Sequence, residues 1–183
     1  MTSNSVYRNW LKQDLGGLID ALDLTDLQKH FIRSRWLDQV LWMEGRADQA
    51  RTWYYIFRLT TIILGVIIPV LVGLNIVGQM GTVLRYVIVV IGLLVAISAA
   101  LEEFFRYGER WRHFRQTVEW LKIEGWRFFQ LSDPYLKYKT HTDAYIDFAD
   151  RVEDIIRRDV NVYISELVRT KEGKEQDKAS SLA

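Results

Sequence analysis

The chain contains no cysteine, which excludes disulfides, thiolate metal sites and a cysteine nucleophile. It has only two prolines in 183 residues, a composition that favours long uninterrupted helices. It lacks an excess of either charge, with 24 Lys and Arg interleaved among 23 Asp and Glu for a net charge of +1. A duplex reader needs a clustered basic face, so no nucleic-acid partner is expected. The three histidines, His30, His113 and His141, lie far apart and have no metal-ligand spacing. There is no GxSxG, no HExxH and no phosphate-binding glycine loop. Glu102 and Glu103 are adjacent, so on a helix they point about 100° apart and do not converge on one substrate. Ion pairs with Arg106 explain them. The expectation is a protein that is not an enzyme, with no cofactor and no metal. Residues 1–9 are polar and no compact apolar core with a small-residue cleavage site follows, so no signal peptide is expected.

Apolar residues are abundant, at 49% of the chain, and they crowd into Leu59–Leu101 between highly charged flanks. A soluble domain disperses such residues at helix or strand period, whereas a block of this length points to a bilayer as solvent. From Leu59 to Leu84 no residue is charged. Residues 59–77 would span about 28 Å as a helix, close to the ~30 Å hydrocarbon core. A second run, 83–101, serves as the returning span if Arg85 snorkels outward. Between them, 78–82 holds Gly78 and Gly81 and suits a tight external loop. Arg46, Arg51 and Arg58 precede the first span, and Arg106, Arg110, Arg112 and Arg115 follow the second, against Arg85 alone in the connection. The positive-inside rule then puts both termini in the cytoplasm of a multi-pass protein of the inner or plasma membrane. Trp53, Tyr54, Tyr55 and Tyr86 fall near the expected interfaces, where amphipathic rings lie.

The flanks read as helices. Residues 1–23 form an amphipathic helix, open to a break at Gly16-Gly17, that packs on the rest of the chain or lies on the membrane surface; a polar face not rich in Lys or Arg favours packing. In 24–58, which leads into the first span, Trp36, Val40, Met43, Ala47, Ala50, Tyr54 and Phe57 alternate at spacings of four and three. The second span is expected to continue as one helix from about Val83 to Phe129, its extension 102–130 carrying a coiled-coil-like seam. Phe104, Trp111, Val118 and Gly125 are seven apart, with Tyr107, Phe114, Leu121 and Phe128 three after each. Ala47 and Ala50 could receive Trp111 and Phe114. A loop, 131–142, breaks at Ser132-Asp133-Pro134-Tyr135, and Thr142 or Asp143 caps a helix over 143–168. Residues 169–183 read as a disordered tail. The fold class is therefore an all-α membrane protein: a two-span hairpin whose helices extend into a cytoplasmic helical bundle.

Within the spans, Gly65, Pro69 and Gly73 mark one small-residue stripe, and Gly92, Ala96 and Ala100 another. Such stripes let backbones approach. They pack either within the hairpin, against a neighbouring subunit, or both. Asn75 and Gln79 stand toward the outer end, Ser98 near the inner end and Glu102 with Glu103 at the inner mouth. In an oligomer, Asn75, Ser98 and Glu102 are the candidate pore-lining residues, set against the plainer roles of interfacial and surface-paired side chains.

The run LEEFFRYGERWRHFRQTVEWLKIEGWRFFQLSDPY, Leu101–Tyr135, resembles a family of small bacterial two-span proteins of unknown function akin to the SLATT superfamily. RTWYYIFRLTTIILGVIIPVLVGL, Arg51–Leu74, is similar to that family's first span. The resemblance implies a pore-forming membrane effector of bacterial defence, working beside nucleotide-generating or nucleotide-sensing partners. It carries no catalytic residues, and this chain has no recognisable sensor of its own, so a cytoplasmic signalling partner is implied. Two expectations follow. One is a homo-oligomer, a tetramer or larger, acting as an ion-channel-like pore. The other is a non-conducting scaffold that presents the cytoplasmic bundle to a soluble partner.

Overall fold

The computed structural model describes residues 3–74 and 76–180, with side chains described for 6–74 and 76–161. Its elements are α1 (Ser3–Ala21), α2 (Asp26–Phe31), a π-helical segment (Ile32–Leu37), α3 (Asp38–Gly73), α4 (Gly78–Phe105), α5 (Tyr107–Phe129) and α6 (His141–Ser180). No strand occurs among the described residues. The chain divides into two compact units, one of Met1–Glu44 with Gln116–Ala183, the other of Gly45–Arg115.

In the first unit, α1 runs unbroken through Gly16-Gly17 and buries Leu11, Leu15 and Ile19, one face at helical spacing. Thr25 starts α2 with a capping box: its Oγ1 accepts from the Gln28 N–H, and its own N–H donates to Gln28 Oε1 at 3.0 Å. Trp36, Val40 and Met43, expected on one seam, are buried, as are Val118, Leu121 and Phe128 of α5 and Phe148, Val152 and Ile156 of α6. The Trp36 indole N–H donates to the Leu121 carbonyl at 2.8 Å. Gly125 makes this possible, because a Cβ there would overlap the Trp36 ring. Phe128 stacks on Phe148 with centroids 4.2 Å apart. The break after α5 comes where expected, with Leu131 at φ 47° and a cis Asp133–Pro134 peptide. The cap of α6 is neither Thr142 nor Asp143. Thr140 Oγ1 accepts from the Asp143 N–H at 3.2 Å, and its hydroxyl donates to the Asp143 carboxylate. The helix therefore begins at His141, and it runs past residue 168 to Ser180.

The second unit departs from expectation at two places. Residues 78–82 are not a loop. Gly73 ends α3, residues 74–77 reverse the chain, and Gly78, at φ 80°, opens α4. Gly81 then passes so close to the Ile76 carbonyl that a Cβ would overlap it, so the two glycines serve the turn from inside the helix. The expected continuous helix 83–129 is also broken. Arg106 adopts the left-handed conformation at φ 49° and caps α4, its N–H donating to the Glu102 carbonyl at 2.9 Å. The break throws the heptad out of register at its first member, and Phe104 is 74% exposed. An arginine at this αL position, where glycine is usual, leaves no composition signal to read.

Candidate functional site: the apolar hairpin and its inner end

Helices α3 and α4 are long and apolar enough to cross a membrane, and no residue in the most apolar window of either is buried. Half-buried bulky positions recur three or four apart, Phe57, Thr61, Leu64, Ile68 and Leu71 on α3 and Leu84, Ile88, Ile91 and Val95 on α4, ending at buried Ser98, with Thr60 and Gly92 half-buried beside them. Bulky side chains therefore form the seam of the hairpin, whose helices are joined by four residues. The Thr61 hydroxyl on it donates to the Phe57 carbonyl at 3.0 Å, so it brings no unpaired donor into the apolar layer.

The small-residue stripes are not that seam. Gly65 and Gly73 are exposed, and a Cβ on either would meet nothing within 4 Å. Gly92 is half-buried with equal room around it, and Ala96 and Ala100 are exposed. Sequence spacing identifies stripes but does not say which of a helix's faces turns toward its neighbour.

At the end of the hairpin away from the turn, Ser98 lies in the seam and Glu102, one turn further, is half-buried, while Glu103 is exposed. The expected pairing of these carboxylates with Arg106 does not form. The left-handed turn takes the Arg106 guanidinium to Glu109 at 2.7 Å, and among the described residues neither Glu102 nor Glu103 has an ion pair. Asn75 lies outside the described residues, and Gln79 is exposed. Around this end gathers an aromatic belt. Tyr107 stacks on Phe57 at 5.8 Å and on Trp53 at 6.4 Å, and Trp111 stacks on Tyr54 at 6.2 Å. Gly108 admits the Tyr54 ring, which a Cβ would meet at 2.9 Å. The small residue that receives an aromatic here is thus a glycine on α5, and Trp111 packs on Tyr54.

Two features of the other unit escaped the sequence. A cleft of about 590 Å³ is lined by Trp120, Arg127, Asp150, Arg151 and Arg158, with Glu124 at its base. Glu124 is buried and accepts from the Tyr135 hydroxyl, with Arg151 at 3.8 Å and Arg127 at 4.0 Å. Burial, and then the Glu124 carboxylate, push the Tyr135 hydroxyl well above the ordinary phenol range, so it stays a donor. A smaller cleft of about 160 Å³ is lined by Tyr7, Trp10, Trp126 and Lys122. The Lys122 ammonium reaches Glu44 at 2.9 Å. Desolvation opposes its charge, but Glu44, helped by Glu119 and Tyr7, holds its pKa above the ordinary value. Single helices predict none of this, because the partners lie on different elements. Among the described residues no group of three or more acidic or histidine side chains is placed to hold a metal.

Residues 38–143, which take in both apolar helices and the aromatic belt, match the family described as "Protein of unknown function (DUF4231)". No curated protein and no solved structure matches the chain.

Proposed function

The chain belongs to the DUF4231 family, and we propose that it is an integral membrane protein whose two spans assemble with those of other copies into a pore-forming, ion-channel-like effector. One observation carries the reading. The hairpin closes on bulky residues and leaves the Gly65–Gly73 stripe exposed and unfilled, a surface on which another helix can approach closely. Two spans cannot enclose a pore, so a tetramer or larger is required. The arginine bias puts both termini in the cytoplasm, with the unpaired Glu102 carboxylates in a ring at the inner mouth, where they would favour cations. The likeness to SLATT-type proteins supports an effector role in bacterial defence, opened by a cytoplasmic signalling partner and without catalysis. Ser98 sits in the seam of each hairpin, so it reaches the pore only if the seam opens.

Particle mass in mild detergent, with detergent subtracted, tests this first. We expect a discrete tetramer or larger that conducts ions in vesicles, loses subunits on Gly65→Leu with Gly73→Leu, and loses cation preference on Glu102→Gln. A monomer or dimer in both detergent and nanodiscs overturns it.

A second reading, a non-conducting scaffold, is favoured by the exposed rings of Tyr7, Trp10 and Trp126 around one cleft, since exposed aromatics rimmed by charge mark interaction surfaces. It predicts an effect of Trp10→Ser on phenotype with no conductance to lose.

A further inference from the structure

We propose that a notch at the inner end of the hairpin is a seat for the phosphate of an anionic phospholipid; this rests on the reading of α3 and α4 as membrane spans. The notch, of about 190 Å³, is lined by Arg46, Gln49 and Trp53 of α3, by Phe105 ending α4, and by Tyr107 and Arg110 of α5. The left-handed Arg106 builds it. On an unbroken helix Phe105 and Tyr107 would point about 200° apart, but the break lets both line the same cavity.

Its chemistry is that of a phosphate beneath acyl chains. Two guanidinium groups line it and no carboxylate does. The acid next to Arg110 in sequence, Glu109, is held by Arg106 at 2.7 Å. Four aromatic rings, Trp53, Phe105, Tyr107 and Phe114, line it beside the arginines, the arrangement expected at headgroup depth. The depth agrees. Phe105, still on α4, follows Leu101 by four residues, about 6 Å of helix rise. Side chains on a helix lean toward its N-terminus, so Arg110 leans back toward the bilayer. A phosphate with its glycerol seated among these rings meets the Arg46 and Arg110 side chains that line the same notch. Basic pockets on the cytoplasmic side of spans bind anionic headgroups in this way.

The test uses the full chain in nanodiscs of phosphatidylcholine with phosphatidylglycerol, reading retained lipid by native mass spectrometry. We expect retained phosphatidylglycerol, weakened about fivefold by Arg46→Gln and about fivefold by Arg110→Gln. Arg110→Lys should keep most of it, and Arg112→Gln, which removes a neighbouring charge outside the notch, should leave it unchanged. Equal loss with Arg112→Gln would show diffuse surface attraction and overturn the seat. So would displacement of the lipid by inorganic phosphate at low concentration, which would mark a free-phosphate site instead. A chain that enters nanodiscs but retains no phosphatidylglycerol sinks the lipid seat alone. A chain that stays in solution and will not enter them sinks the membrane reading, and the seat with it.

Discussion

The two units use the same kind of residue at the same helical spacing and come to opposite arrangements. In the unit of Met1–Glu44 and Gln116–Ala183, the large side chains Trp36, Phe128 and Phe148 are buried, and the buried Glu44, Thr117 and Glu124 are hydrogen-bonded. In the unit of Gly45–Arg115, Val66, Val70, Val89 and Leu93 all stand out from the hairpin, each at least 60% exposed. At about 25 cal/mol per Å² of apolar surface, leaving such faces in water would be strongly unfavourable, and monomeric soluble proteins rarely expose patches beyond a few hundred Å². One unit makes its own apolar interior, and the other leaves uncovered two helices that are long and apolar enough to cross a membrane.

The sharpest way to break this comparison is to exchange the solvents. Trp36→Ala should destabilise its unit by about 3–5 kcal/mol in chemical denaturation, through lost burial and an unfilled cavity. Val66→Arg should leave that unit intact and instead lower membrane insertion, at about 2.5–3.5 kcal/mol for a charge at the centre of a span, read by carbonate extraction. If Val66→Arg makes the chain soluble and monomeric without detergent while keeping α3 and α4 folded, the hairpin does not belong in lipid.

A comparable loss should follow Lys122→Met, about 3–5 kcal/mol, because it removes one partner of a buried ion pair. The pair also sets a pH dependence. Lys122 has its pKa raised in the fold, so its contribution is fully present below the ordinary lysine value and fades as pH rises through the folded one. Wild type should therefore lose stability in strong alkali more steeply than the methionine variant. Acid probes the Arg35–Glu153 pair in the same way. The Arg35 hydrogen bond holds the Glu153 carboxyl below the usual range, so its contribution is present above the ordinary glutamate pKa and fades as pH falls through the folded one. Both partners are over two-fifths exposed, so Glu153→Gln should flatten the acid limb only slightly.

A smaller contrast lies in the glycines. Gly125→Ala forces a methyl into the Trp36 ring and should cost about 1–3 kcal/mol. Gly65→Ala meets nothing and should leave the single chain's fold unchanged, its effect, if any, appearing in particle mass alone. Equal destabilisation by both would mean that the exposed stripe is packed within one chain after all.

Much of the architecture was legible in the residues alone. The block from Leu59 to Leu101, with two glycines near its middle, was readable as two long apolar helices, and α3 and α4 carry it. Trp36, Val40, Met43, Val118, Leu121 and Phe128 announce their burial by spacing, since helical period alone decides which residues share a face. Only the tertiary structure decided what those faces meet. It turned the bulky residues of the hairpin inward and the glycine stripe outward, a choice between faces of similar hydrophobicity that spacing does not rank. The Arg106 break was invisible because the left-handed conformation is held by its neighbours and not announced by a glycine. The Lys122–Glu44 pair, the Glu124–Tyr135 contact and the arginine-lined notch join residues from separate elements. Their distances come from packing, which a one-dimensional pattern does not contain.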